Sequence, residues 1–241
     1  MKNKNMTILL ISILLWFSCE KMDTTDNYNQ VKMESEIKEK PKRLKYLALG
    51  DSYTIGESVA EEMRFPVQLV KKLNDNNFHT DSAIIVARTG WTTDELSFGI
   101  KQANISGTYD LVTLLIGVNN QYRGRDTLEY RKQFRELLQT AIQFAGNNEQ
   151  RVIVISIPDY GVTPFGKTNE EKIAKEIDIF NRINREETEI RKANYVNITG
   201  ISRTAKFESS LIASDGLHPS GAMYTLWVES IFPVVKIILN N

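Results

Sequence analysis

The chain has 241 residues, in which 30 Lys and Arg balance 30 Asp and Glu. Zero net charge argues against a nucleic-acid-binding surface, which needs a basic face. A single cysteine, Cys19, excludes an intrachain disulfide framework or a cysteine metal site, and 41% hydrophobic residues suffice for a packed core.

In chain order, residues 1–19 read as a secretory leader. Lys2 and Lys4 precede an apolar stretch from Met6 to Phe17 that is too short to span a bilayer. Ser18-Cys19 then follows, a small residue before a cysteine. This resembles the bacterial lipoprotein signal, and implies cleavage before Cys19, lipidation of Cys19 and anchoring to a bacterial membrane on its periplasmic or surface side. Trp16 and Phe17 are bulkier than that signal usually carries, and an ordinary secretory signal or a short anchor is the alternative. No apolar run reaches the roughly 18 to 20 residues of a transmembrane helix. Residues 20–43 are polar and charged with almost no large aliphatics, the composition of a disordered tether.

The remaining residues, 44–241, read as one α/β domain. Continuously apolar runs at 44–49, 83–87, 111–116, 152–157 and 195–198 predict strands, and lack of alternation suits strands covered on both faces. Between them lie helical patterns. Residues 66–73 have apolar spacings of three and four, Thr92-Thr93-Asp94-Glu95 forms a capping box, Asp126 caps a helix to about residue 145, and 170–193 is amphipathic. A last helix follows Pro219, with Pro233 expected to bend or break it. Strand and helix in alternation predict a parallel sheet with helices on both faces, and ligands at the carboxyl ends of its strands.

Four polar positions fall at those ends. Ser52 follows the first strand in Gly50-Asp51-Ser52-Tyr53; Gly90 follows the second; Asn119 and Asn120 follow the third; Asp215 and His218 precede the last helix. A serine hydroxyl is a weak nucleophile and needs a base oriented by a carboxylate. Ser52, His218 and Asp215 supply that set, and the Ser52 and Gly90 amides with the Asn119 side chain are candidate oxyanion donors. Asp51 reads as a structural residue of the turn, and His79 as a surface residue. Trp91, Tyr122, Arg123 and the 158–165 loop with Tyr160 should lie at the mouth of the site.

Together these blocks resemble the SGNH (GDSL) hydrolase family over nearly all of residues 44–241. The resemblance implies a flavodoxin-like three-layer α/β/α sandwich with a five-stranded parallel sheet, and a serine esterase without a metal or other cofactor. It implies Ser52 as nucleophile, Asp215 and His218 as its partners, and Ser52, Gly90 and Asn119 as the oxyanion hole. One block departs from the family: Asn120 stands where an Asp is usual, which bears on the hydrogen bonding of that loop. The expected function is hydrolysis of small or medium carboxylic esters, in an esterase or lysophospholipase-like manner. Trp91, Tyr122 and Tyr160 are the candidate substrate contacts, for a lipid or glycan ester. A carbohydrate O-acetyl esterase and a non-catalytic surface binding protein are the alternatives.

Overall fold

The computed structural model describes residues 43–240. The leader with Cys19, and all but the last residue of the tether, lie outside the described residues. Five parallel strands form one sheet: β1 Tyr46–Gly50, β2 Ile84–Ala87, β3 Leu111–Leu115, β4 Val152–Ile155 and β5 Asn194–Val196. Their order is β2-β1-β3-β4-β5. Each begins and ends within about two residues of the apolar run that predicts it. The three central strands β1, β3 and β4 are wholly buried, as continuous apolarity requires. The edge strands are less so, and Ile84 on β2 faces solvent.

The helices are α1 Ser52–Ile55, α2 Phe65–Asp75, α3 Thr93–Ala103, α4 Val118–Tyr122, α5 Thr127–Phe144, α6 Glu170–Ile190, α7 Thr199–Arg203 and α8 Gly221–Asn240. Crossovers are right-handed, so the single reversal of strand order at β1 puts α2 and α8 together on one face and α3, α5 and α6 on the other. The predicted caps start their helices as expected. Thr92 N–H donates to Glu95 Oε2 at 2.9 Å, and Asp126 Oδ1 accepts from the Leu128 and Glu129 amides at 2.9 Å each. In α5 the buried Tyr130, Phe134, Leu137, Leu138 and Ala141 form one stripe at the seam with α6, where Tyr130 meets Phe180 with ring centroids 4.5 Å apart. Glu187 is buried in that seam, where Arg131 and Arg135 reach it at 2.9 and 2.8 Å.

Two expectations about the last helix change. It starts at Gly221 rather than Pro219, because Pro219 is held in a bridge with Ile212 and the Ser220 hydroxyl accepts from the Met223 amide at 3.3 Å. Pro233 does not break it. Proline removes one backbone donor, but Ile231, Phe232 and Val235 on either side are buried and hold the helix in register. This helix is also long and apolar enough on average to cross a membrane by length and composition, although Glu229 and Lys236 interrupt its apolar run. It instead lays Tyr224 and Trp227 against Phe65 of α2, with centroids 6.2 and 6.3 Å apart.

The connections after β1 and β3 leave in opposite directions along the sheet, which opens a crevice between their carboxyl ends. Two glycines shape it. A Cβ on Gly50 would collide with Thr54 Oγ1 and the Leu115 carbonyl oxygen, so only glycine lets the turn after β1 lie this close to β3. Gly117, after β3, has φ +129°, and a Cβ there would strike the Tyr130 hydroxyl.

Candidate active site

Ser52 is the first residue of α1, immediately after the β1 turn. The turn is fixed by Asp51, whose Oδ1 accepts from the Tyr53 amide at 3.1 Å and whose carbonyl accepts from Thr54 and Ile55 at 3.0 Å each. Gly56 closes α1 at φ +72°, its N–H donating to the Ser52 carbonyl.

His218 and Asp215 come from the loop before α8. Asp215 Oδ1 accepts from the Leu217 and His218 amides at 2.9 and 3.0 Å, so the aspartate folds its own loop. Its Oδ2 is 2.6 Å from His218 Nδ1. That contact leaves Nε2 as the imidazole nitrogen free for the cavity. Ser58 Oγ also donates to Oδ2 at 2.6 Å, from a backbone with φ +64°. Partial burial works to raise the Asp215 pKa, but Ser58, His218 and the two amides outweigh it and hold the carboxyl well below the usual carboxylate range. The edge of Tyr53 meets the His218 ring at 5.8 Å between centroids and fixes its plane.

Ser52, His218 and Asn119 line one cavity of about 160 Å³, with Tyr122, Tyr160 and Phe165 forming its outer wall. Ser52 Oγ is not hydrogen-bonded to His218, although both residues line this space. Asn119 Nδ2 donates one hydrogen to the Trp91 carbonyl at 3.0 Å, and its second hydrogen has no acceptor among the described residues. Gly90 has φ +85° and a carbonyl held by Arg123 Nη2 at 2.6 Å, while its N–H makes no hydrogen bond among the described residues. Gly90 lies beside the cavity rather than on its wall. Trp91 turns away: a Cβ on Gly99 of α3 would collide with its indole, which packs there. Tyr122 and Tyr160 do stand at the mouth, with ring centroids 6.3 Å apart. The loop of Tyr160 is anchored by Asp159, buried, which accepts from Gly161 N at 2.8 Å and pairs with Arg203 Nε at 2.9 Å. His79 is exposed, as expected.

The profile of the GDSL-like lipase/acylhydrolase family matches residues 48–226, which holds every one of these positions. The chain belongs to that family. A search of curated proteins finds no match. Solved structures share the fold of this GDSL-type ester hydrolase at low identity. TesA is 16% identical with a TM-score of 0.65, over 80% of this chain and 99% of its own. The acetylxylan esterase Axe2 from Geobacillus stearothermophilus is 17% identical with a TM-score of 0.62, over 80% and 94%. A lipase/acylhydrolase from Enterococcus faecalis is 23% identical with a TM-score of 0.61, over 83% and 97%.

Within this GDSL-like fold, Asn120 ties the loop after β3 to the start of α3. Its Oδ1 accepts from Thr93 N at 3.0 Å and its Nδ2 donates to Thr93 Oγ1 at 2.8 Å. The Thr93 hydroxyl passes its own hydrogen to Gln133 Oε1. An aspartate could accept from both Thr93 groups but could not donate, so the asparagine reverses one bond and keeps the link. Arg123 was expected at the rim; it instead clamps Gly90 and pairs with Glu95 at 3.2 Å.

Asp51 differs from Asp215 in every respect that matters to charge. It is fully buried, and its Oδ2 accepts no hydrogen bond among the described residues. Burial pushes its pKa up to about 7, against the opposing bond from the Tyr53 amide. A folded-state pKa above the unfolded one means that the folded protein binds the extra proton. Its stabilising contribution is therefore complete below about pH 4 and lost as pH rises to about 7. Asp51→Asn keeps the Oδ1 acceptor and removes the titration. Urea unfolding across this range should show wild type losing on the order of 4 kcal/mol relative to D51N. Parallel pH profiles for the two proteins would contradict the assignment.

Ser58 is absent from the sequence reading and is a positioning residue for Asp215. Ser58→Ala leaves the backbone strain unchanged and deletes only the hydroxyl. With p-nitrophenyl acetate, kcat should fall about three- to tenfold, the worth of about 1 kcal/mol, with KM unchanged. An unaltered kcat would remove Ser58 from the site.

Proposed function

We propose that the protein hydrolyses carboxylic esters through an acyl-enzyme on Ser52. The observation that carries this reading is the 2.6 Å Asp215–His218 pair, whose imidazole lines one cavity together with Ser52 and Asn119. In this mechanism Ser52 Oγ attacks the acyl carbonyl while His218 Nε2 takes its proton. Asp215 holds the Nδ1–H tautomer and stabilises the imidazolium. The oxyanion is met by the Ser52 and Gly90 amides and by the second hydrogen of Asn119 Nδ2. Collapse expels the alcohol, which takes the proton from His218; water then repeats the attack on the acyl-Ser52 ester.

The cavity bears on the acyl group. Its volume is about 160 Å³ and its walls are Tyr53, Val118, Leu217 and the three outer aromatics. An apolar protein cavity of roughly 150 Å³ holds a molecule of benzene, about six carbons. Acyl groups from acetyl to about hexanoyl therefore fit, and longer chains must lie outside. A complete Ser52, His218 and Asp215 set argues against a binding protein that has lost turnover. A sugar O-acetyl esterase uses the same chemistry with the shortest acyl group. Residues 1–43 fit an envelope location with Cys19 lipidated and the tether carrying the domain. Detergent-phase partition of the full chain should then depend on Cys19, and partition that persists in Cys19→Ser contradicts the anchor.

The test of turnover is a p-nitrophenyl ester series from acetyl to palmitoyl with the full chain. Turnover should hold through about hexanoyl and fall at least about tenfold by palmitoyl. Ser52→Ala should lower kcat by about a thousandfold or more. Undiminished activity in S52A would end the serine mechanism, and a palmitoyl preference would end the size argument.

A further inference from the structure

Of the three oxyanion donors proposed above, the Gly90 amide has the most freedom to lose. At φ +85° Gly90 takes a conformation that glycine adopts readily, and it has no side chain to pack it in place. An oxyanion donor works by being oriented before charge develops, so a swinging amide would stabilise a transition state poorly.

The loop is tied down residue by residue on either side. The Trp91 amide donates to the Arg88 carbonyl at 3.2 Å, the Thr92 amide to Glu95 Oε2 at 2.9 Å, and the Thr93 amide to Asn120 Oδ1 at 3.0 Å. The Thr89 hydroxyl donates to Glu57, on the loop after α1. The Trp91 carbonyl accepts from Asn119 Nδ2 at 3.0 Å. One contact holds Gly90 itself. Arg123 Nη2 donates to its carbonyl at 2.6 Å, while Nη1 of the same guanidinium meets Glu95 Oε1 at 3.2 Å. The Arg123 amide donates to the Asn119 carbonyl at 3.1 Å. Arg123 thus joins the loop of Gly90, after β2, to the turn of Asn119, after β3.

From these contacts we infer that Arg123 is a positioning residue of the oxyanion hole, fixing the Gly90 amide through the Gly90 carbonyl. The inference rests on the ester-hydrolase reading of Ser52. The Arg123 and Glu95 side chains are 38% and 40% exposed, so their ion pair by itself adds little to stability. What the guanidinium supplies is a planar fork that reaches two acceptors at fixed angles, which a lysine ammonium does not reproduce. The Gly90 amide meets full negative charge only when the tetrahedral oxyanion forms. Loss of Arg123 should therefore lower kcat and leave KM nearly unchanged.

The test measures kcat and KM of the full chain for p-nitrophenyl acetate in wild type, Arg123→Met and Arg123→Lys. The methionine variant should lose about ten- to a hundredfold in kcat, with KM within about twofold of wild type. Its affinity for a trifluoromethyl ketone, which forms a tetrahedral oxyanion on the serine, should fall by a similar factor. The lysine variant keeps one donor for the Gly90 carbonyl, and its kcat should lie between the other two. An unchanged kcat in R123M, a rise in KM alone, or a lysine variant as slow as R123M overturns the inference. A second arm does not depend on turnover and follows the order parameter of the Gly90 amide by NMR relaxation. It should be near the rigid value of about 0.85 in wild type and fall below about 0.6 in R123M. If no ester turns over, that fall keeps the positioning role while the hydrolase reading is lost. Equal order parameters in the two proteins overturn the inference whatever the turnover.

Discussion

The site depends on how β1 ends. Strand order reverses at β1, and the right-handed crossovers that follow carry the chain away on either side of the β1–β3 crevice. Gly50 presses the turn onto the Leu115 carbonyl, where any side chain would collide. Ser52 therefore emerges at the crevice rather than over the sheet, and Asn119 emerges opposite it from β3. The loop of Asp215 and His218 is delivered from elsewhere, by α8 packing on α2. Trp227 of that helix meets Tyr53 at 6.3 Å, and Tyr53 meets His218, so one aromatic column links the last helix to the first turn.

Two aspartates in this region show how environment divides labour. Asp215 has four donors within 3.0 Å, and its side chain is 29% exposed, so it stays ionised and can orient an imidazole. Asp51 has lost its water and keeps one unpartnered oxygen, so it holds a proton far more readily. Carboxyls whose surroundings push their pKa values apart can serve different roles a few residues from a common nucleophile. The Asp51 role is to cap α1, and the Asp215 role is to face the base.

The parts of this arrangement legible in the sequence are those built by neighbours in the chain. Apolar runs marked all five strands, and at β1, β3 and β4 burial on both faces leaves no room for alternation. Asp215 and His218 are three residues apart, close enough for the aspartate to fold its own loop. Capping residues at Thr92 and Asp126 act within one helical turn. What the sequence did not show depends on contacts made only after folding. Ser58 reaches Asp215 across 157 positions, through a left-handed backbone that no serine advertises. Arg123 reads as a rim residue until Gly90 lies beneath it, and Trp91 as a platform until Gly99 offers a surface for its ring. Pro233 should interrupt a helix by its own chemistry, yet the buried residues around it decide otherwise.

The proposed chemistry requires Ser52 to be a nucleophile activated by the His218–Asp215 pair. Labelling with a fluorophosphonate, followed by peptide mapping, reads this out because the reagent bonds to an activated serine hydroxyl far faster than to other side chains. One adduct per chain is expected, on the peptide carrying Ser52, with labelling slowed by orders of magnitude in His218→Ala. An unlabelled chain, an adduct on another residue, or undiminished labelling without His218 would contradict it.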